Sequence, residues 1–241
     1  MSPRDHGVLM GLGDESHPDP AVLDLVGVRY LVLPADVEWP DGVRLTAKLP
    51  NVANVSVWQN PNALPRTWLV HQVEHWPIGK SATRRDIPSP QSILEKRLHR
   101  LLYPEGWRRD FRKEAVVESR RPIPAVSGTG ASDRCRIVEE RANRLEIKAS
   151  LASPGLLVLS NRYDPGWSVE VISAGSSFQP RIVRANVVLQ GVFLPSGTHR
   201  LVFRYTPSGF HLAATLSIAG WLLCVVWGVT RFARRSIAGR N

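Results

Sequence analysis

GLLVLSNRYDPGWSVEVIS, residues 155–173, reads as two strands and the tight turn between them. Asp164-Pro165-Gly166 is strong turn chemistry, because proline presets one backbone angle and glycine accepts what other residues resist. GLLVLSN before it and WSVEVIS after it are short and apolar, as strands are. Working outward, RIVEE (136–140), RLEIKAS (144–150), PRIVRA (180–185), VVLQGVFL (187–194) and HRLVFRY (199–205) follow the same pattern, punctuated by SPG, AGS and PSG. Seven short strands at such spacing predict an antiparallel β-sandwich over residues 134–207.

Toward the N-terminus the signals mix, and residues 1–121 read as an α+β segment. DPAVLDLV (19–26) predicts a short helix with Asp19 as N-cap, Pro20 at the first position and Gly27 as the stop. VRYLVLP (28–34), VSVWQN (55–60) and TWLVHQV (67–73) read as strands. SPQSILEKRLHRLL (89–102) predicts an amphipathic helix capped by Ser89, with Ile93, Leu94, Leu98, Leu101 and Leu102 on one face. Residues 122–133, rich in Pro, Gly and Ser, read as a linker. Nineteen prolines and 18 glycines among 241 residues suit this mainly β plan better than a helical bundle.

The formal charge of +10 is unevenly placed. Residues 1–79 carry 5 basic and 9 acidic side chains, residues 80–121 carry 12 and 6, residues 122–230 carry 10 and 6, and the last eleven carry four arginines. Nucleic-acid binding would want the charge focused on one helix or groove with aromatic interleaving, which this pattern lacks. Anionic headgroups of a bilayer are the simpler partner.

That partner is named by FHLAATLSIAGWLLCVVWGVT, residues 210–230, which holds no Asp, Glu, Lys or Arg. Twenty-one residues at about 1.5 Å each span roughly 30 Å, the thickness of a hydrocarbon core. A core helix of that length would show a polar stripe, so a transmembrane helix is expected. Arg231, Arg234 and Arg235 follow it and orient the tail 231–241 to the cytoplasm, leaving the main domain extracytoplasmic. Residues 1–15 hold no signal peptide to export that domain. The expectation is therefore that the chain is the end of a longer polytopic protein or a split gene product, in a bacterial inner membrane. Cys135 and Cys224 fall in different phases and should not pair.

Catalytic patterns are sparse. Gly79-Lys80-Ser81 lacks the first glycine of a phosphate loop, whose place Glu74 takes. His71 and His75 in HQVEH have helical metal spacing but lie in a strand, so satisfied surface histidines are expected and no metal. Asn54-Val55-Ser56 matches a glycosylation sequon. No acid, base and nucleophile set stands out, so no catalytic residue and no cofactor is assigned. Tyr163-Asp164-Pro165-Gly166-Trp167 is the most specific motif. Trp167 is either a core tryptophan or a platform for the C–H face of a sugar, and its exposure separates the two.

LDLVGVRYLVLP, WQNPNALPRTWLV, LLVLSNRYDPGWSVEV and RANVVLQGVFLPSGTHRLVFRYTPSGF, in that order before a terminal helix, resemble the C-terminal region of bacterial YfhO-like membrane proteins. The resemblance covers about residues 20–230. It falls on Asn60, Pro61, Leu64, Pro65 and Arg66; on Tyr163, Pro165, Gly166 and Trp167; on Asn186; and on Gly197, His199, Tyr205 and Pro207. It implies a GT-C-type glycosyltransferase that uses a polyprenyl-phosphate sugar, with a β-rich extracytoplasmic C-terminal region. The helices and first-loop acids of such an enzyme have no counterpart in this chain. The expected role is thus a non-catalytic module and last membrane helix, joined to a multi-helix membrane partner. The alternative is a stand-alone anchored sandwich that binds an envelope glycan or a protein.

Overall fold

The computed structural model describes residues 19–34, 47–52, 55–78, 90–106, 108–130, 132–173, 175–207 and 209–238. Asn54 of the sequon, Gly79 to Ser81 and the expected cap Ser89 lie outside them. The chain opens with α1 (Pro20–Val26), β1 (Tyr30–Pro34), β2 (Ala47–Val52), β3 (Val55–Gln59), β4 (Thr67–Val70) and β5 (Gln72–Pro77). Then come α2 (Pro90–Leu102), a 3-10 turn (Pro104–Gly106) and β6 (Glu114–Ser119). The strands β7 (Arg134–Arg141), β8 (Arg144–Leu151), β9 (Gly155–Arg162), β10 (Trp167–Ser173), β11 (Ser176–Phe178), β12 (Val183–Ala185), β13 (Leu189–Leu194) and β14 (Gly197–Tyr205) lead to α3 (Phe210–Ala238). The fold is mainly β.

The sandwich is larger than the expected 134–207. A five-stranded sheet in the order β11-β10-β14-β8-β7 faces a six-stranded sheet in the order β4-β9-β13-β12-β6-β5. Three strands of the second sheet therefore precede the linker. It is also not wholly antiparallel, because β5 and β6 pair in parallel, Gln72 opposite Glu114 through Pro77 opposite Ser119. Parallel neighbours need a long crossover, which α2 supplies. Composition marked the break at 122–133, but it could not show that strands on either side of it share one sheet.

Between the sheets lie Ile147, Val169, Val171, Leu201 and Phe203 from the first and Leu157, Leu159, Val192 and Leu194 from the second. The other face of the six-stranded sheet is covered as well: Leu156, Val158, Val70 and Val116 pack with Ala21, Val22 and Leu25 of α1 and Leu98, Leu101 and Leu102 of α2. Each such leucine contributes about 1.5–3 kcal/mol of burial. This explains why GLLVLS is an unbroken apolar run. β9 is buried on both faces, whereas WSVEVIS of β10 puts every second residue toward solvent.

The helix ends match their sequence signals. Asp19 accepts the Ala21 N–H at 2.7 Å, and Gly27 closes α1 at a φ of 75°. The Tyr103 hydroxyl at the end of α2 donates to both Asp19 carboxylate oxygens at 2.8 and 2.9 Å. Burial, then that hydrogen bond, pushes the phenol up to about 12. Part of the basic block is structural: Arg109 is buried and binds Glu74 and Glu114, both at 2.7 Å, and the Leu101 carbonyl at 3.0 Å. It ties α2 to the parallel pair β5 and β6.

α3 is of another kind. Its described side chains are those of 210 and 213–227, and Phe210, Leu216, Ile218, Trp221, Leu222, Leu223, Val225, Val226 and Trp227 are all exposed. Among the described residues no helix is long and apolar enough to cross a membrane. The backbone of Arg231, Arg234 and Arg235 continues the helix, so the expected tail is helical as far as Ala238.

Candidate functional site

Tyr163 to Trp167 connects β9 to β10 at the end of the five-stranded sheet. Asp164 shapes the turn, its Oδ1 accepting the Gly166 N–H at 2.7 Å and its carbonyl the Trp167 N–H at 3.2 Å. Gly166 is required by space. A Cβ there would lie 2.8 Å from the Thr206 carbonyl oxygen and 2.8 Å from the Tyr205 ring. The close approach serves a hydrogen bond, since the Thr206 N–H donates to the Gly166 carbonyl at 2.9 Å. The turn is thereby fastened to the first residue after β14.

Trp167 and Tyr205 face each other directly across β10 and β14, with ring centroids 5.2 Å apart and tilted by 43°. Trp167 is half-buried, packed against the edge of the inter-sheet core with part of its ring left accessible. One side of the indole is taken by Tyr205. The remainder borders a groove of about 370 Å³ formed with Arg66, Glu140, Arg141 and Asn161. A second groove, of about 300 Å³, lies beyond Tyr163, Pro165 and Arg181. The Arg184 guanidinium sits 5.0 Å above the Tyr163 ring, a cation–π contact. Pro165 is exposed at the tip.

The other motif residues build scaffold. Asn60 is buried and donates to Asp24 at 2.8 Å and to the Val28 carbonyl at 3.0 Å, locking α1 to the strand after it. Pro61 starts the exposed turn after it, and Leu64 enters the core. Pro65 is half-buried, and Arg66 bonds the Ser160 carbonyl and pairs with Glu140 at 3.2 Å. Asn186 is fully buried at a φ of 45°, its Oδ1 accepting the Val116 N–H at 2.9 Å. That left-handed angle suits asparagine. Gly197 takes a φ of 122°, and buried His199 donates from Nε2 to the Pro195 carbonyl at 2.9 Å. Pro207 is exposed, and its carbonyl accepts the Phe210 N–H at 3.1 Å. Only Tyr163, Pro165, Gly166, Trp167, Tyr205 and Pro207, with Arg66 at the groove, come together in one place.

The expectation of surface histidines is corrected at His71. It interrupts the predicted strand 67–73 between β4 and β5 and is buried. Its Nε2 lies 2.6 Å from Asp133 Oδ2 and its Nδ1 2.9 Å from the Pro154 carbonyl. Ser153 Oγ is 3.3 Å from Nδ1, which gives a superficial Ser-His-Asp set. A carbonyl can only accept, so Nδ1 carries a proton and cannot act as base for Ser153. The ring is walled in by Gly130 and Gly155, where a Cβ would stand 3.0 and 2.9 Å from it. His71 thus pins the 122–133 segment to the sandwich. HQVEH gave no sign of this, because Asp133 lies 62 residues away. His75 is half-exposed and bonds the Ser119 carbonyl at 3.1 Å.

Among the described residues no group of three or more His, Cys, Asp or Glu could hold a metal. What the sheet end offers is an aromatic and cationic surface next to a helix. Comparison with protein-family models, curated proteins and solved structures finds no match to this chain.

Proposed function

We propose that the chain is an extracytoplasmic β-sandwich held at a bacterial inner membrane by α3, and that it is non-catalytic by itself. One observation carries the reading. α3 follows β14 after four residues, and among its described residues Leu216, Ile218, Trp221, Leu222, Leu223, Val225 and Val226 are exposed on successive faces. A helix apolar all round is stable only when something apolar surrounds it. The uncharged run 210–230 and the arginines after it supply the length and orientation of a span.

The finer reading rests on the ordered motifs alone. In it the sandwich is the terminal module of a YfhO-like glycosyltransferase system, assisting sugar transfer from a polyprenyl-phosphate donor to a cell-envelope acceptor. Its multi-helix partner would cover α3 within the membrane. Affinity purification of the chain from mild detergent should bring down a polytopic membrane protein, and polar substitutions on α3 should release it. Protease added to intact spheroplasts should digest the sandwich; protection of the sandwich would overturn the orientation.

A second reading, a stand-alone anchored glycan binder, has the grooves beside Trp167 in its favour. Binding of the full chain to a glycan array, lost in Trp167→Ala, would favour it over the first.

A further inference from the structure

The geometry points to the Trp167–Tyr205 end of the sandwich as a lipid-headgroup collar, a surface seated in the interfacial layer of the bilayer against anionic headgroups. This rests on the membrane reading of α3 and adds to it a second, independent membrane contact. Three observations carry it.

The first is distance. Tyr205 to Phe210 is five residue steps, at most about 17 Å when extended, and the Phe210 N–H bond to Pro207 makes it shorter. A headgroup layer is about 5–8 Å deep on each side. The Thr206 bond to Gly166 holds the Tyr163–Trp167 turn at the same height as the end of β14. If α3 enters the bilayer at Phe210, the aromatic pair cannot stand far above its surface.

The second is side-chain type. Trp167 and Tyr205 each combine an apolar ring with a polar tip, the combination enriched at membrane–water boundaries. Both are half-exposed, with Pro165 at the turn's tip and Phe210 exposed at the helix start. A sugar platform would want a free ring face, and Tyr205 takes one from Trp167.

The third is charge. Arg204 lies opposite Ser168 on one side and Arg144 on the other. Arg66 pairs with Glu140, and Arg141 and Arg144 share Glu139. Among the described residues Arg204 and Arg181, both exposed, have no acidic partner. An exposed arginine within a Debye length of an anionic leaflet is drawn to it.

The test uses the full chain in vesicles containing phosphatidylglycerol, with bromine placed shallow or deep on the acyl chains to quench nearby tryptophans. In a Trp227→Phe background, Trp221 reports α3 and Trp167 reports the collar. Trp167→Phe should remove at least half of the quenching by shallow bromine and leave that by deep bromine; Trp221→Phe should do the reverse. Unchanged shallow quenching in Trp167→Phe, with Trp221 still quenched, overturns the collar and leaves the membrane reading standing. Absence of both signals overturns the membrane reading itself. An environment-sensitive dye on Ser168→Cys, with Cys135 and Cys224 changed to Ser, provides a second readout. It should shift to the blue in these vesicles, and a dye as wet as in buffer counts against the collar.

Discussion

The inter-sheet core and α3 are both rich in large apolar side chains, yet they treat them in opposite ways. Phe203, Leu201, Ile147, Leu157 and Leu159 are sealed from solvent by other parts of the same chain. Leu216, Trp221 and Leu223 stand largely open among the described residues, Leu223 being 71% exposed. The sandwich covers most of its own large apolar side chains, Val138 and Phe178 at its edge strands being exceptions. The helix is half of a solution to its hydrophobic pattern, and in the proposed membrane reading the bilayer supplies the other half. Hydrophobic content alone cannot separate these cases; periodicity can. The core strands facing solvent alternate with polar residues, while 210–230 carries no charged stripe.

The sharpest way to break the comparison is to remove one large side chain from each region. Phe203→Ala should cost the sandwich about 4 kcal/mol, lowering its melting temperature by about 10 °C. An unchanged melt would mean that this core is not what holds the sheets together. Leu223→Asp should leave that melt within about 0.5 kcal/mol of the parent. It should weaken membrane retention by about 3 kcal/mol, read as chain released by a carbonate wash. Loss of sandwich stability instead would mean that α3 is packed on the domain.

Gly166→Ala probes the joint between the regions. The added methyl meets a carbonyl oxygen and a ring, and such overpacking costs about 1–3 kcal/mol. Differential scanning calorimetry of the full chain should show it, with increased protease sensitivity at residues 206–209.

The smallest effect concerns the outer face of the five-stranded sheet. Hydrogen bonds from Arg200, at 2.6 and 2.8 Å, hold the Glu146 carboxyl below its ordinary range despite opposing desolvation. A depressed carboxyl stabilises fully above its unfolded value and loses that contribution as pH falls through its folded one. Melting of the parent and of Arg200→Gln should therefore differ at pH 6 and converge toward pH 3.

Much of the β region was legible because turns and strands leave local marks. YDPG, PSG and the short apolar runs place β8 to β10 and β14 within a residue or two of their observed ends. Asp19, Pro20 and Gly27 give α1 for the same reason. What escaped was non-local. EAVVES of β6 sits in a stretch dominated by basic residues, and its parallel partner lies 42 residues earlier, from Gln72 to Glu114. The His71–Asp133 bond joins a strand break to a linker that had no visible reason to be ordered. Of the candidate site, the turn was legible from Asp164-Pro165-Gly166. Its fastening to Thr206 was not, because the space that demands glycine there is made by a strand 39 residues away.

Cys224 offers the most direct test of the claim that α3 lies in a bilayer. In the protein alone this residue is exposed. In carbonate-washed membranes carrying the Cys135→Ser chain, a membrane-impermeant maleimide should leave Cys224 unlabelled until detergent is added, and then label it fully. Rapid labelling of Cys224 in intact membranes would contradict the account.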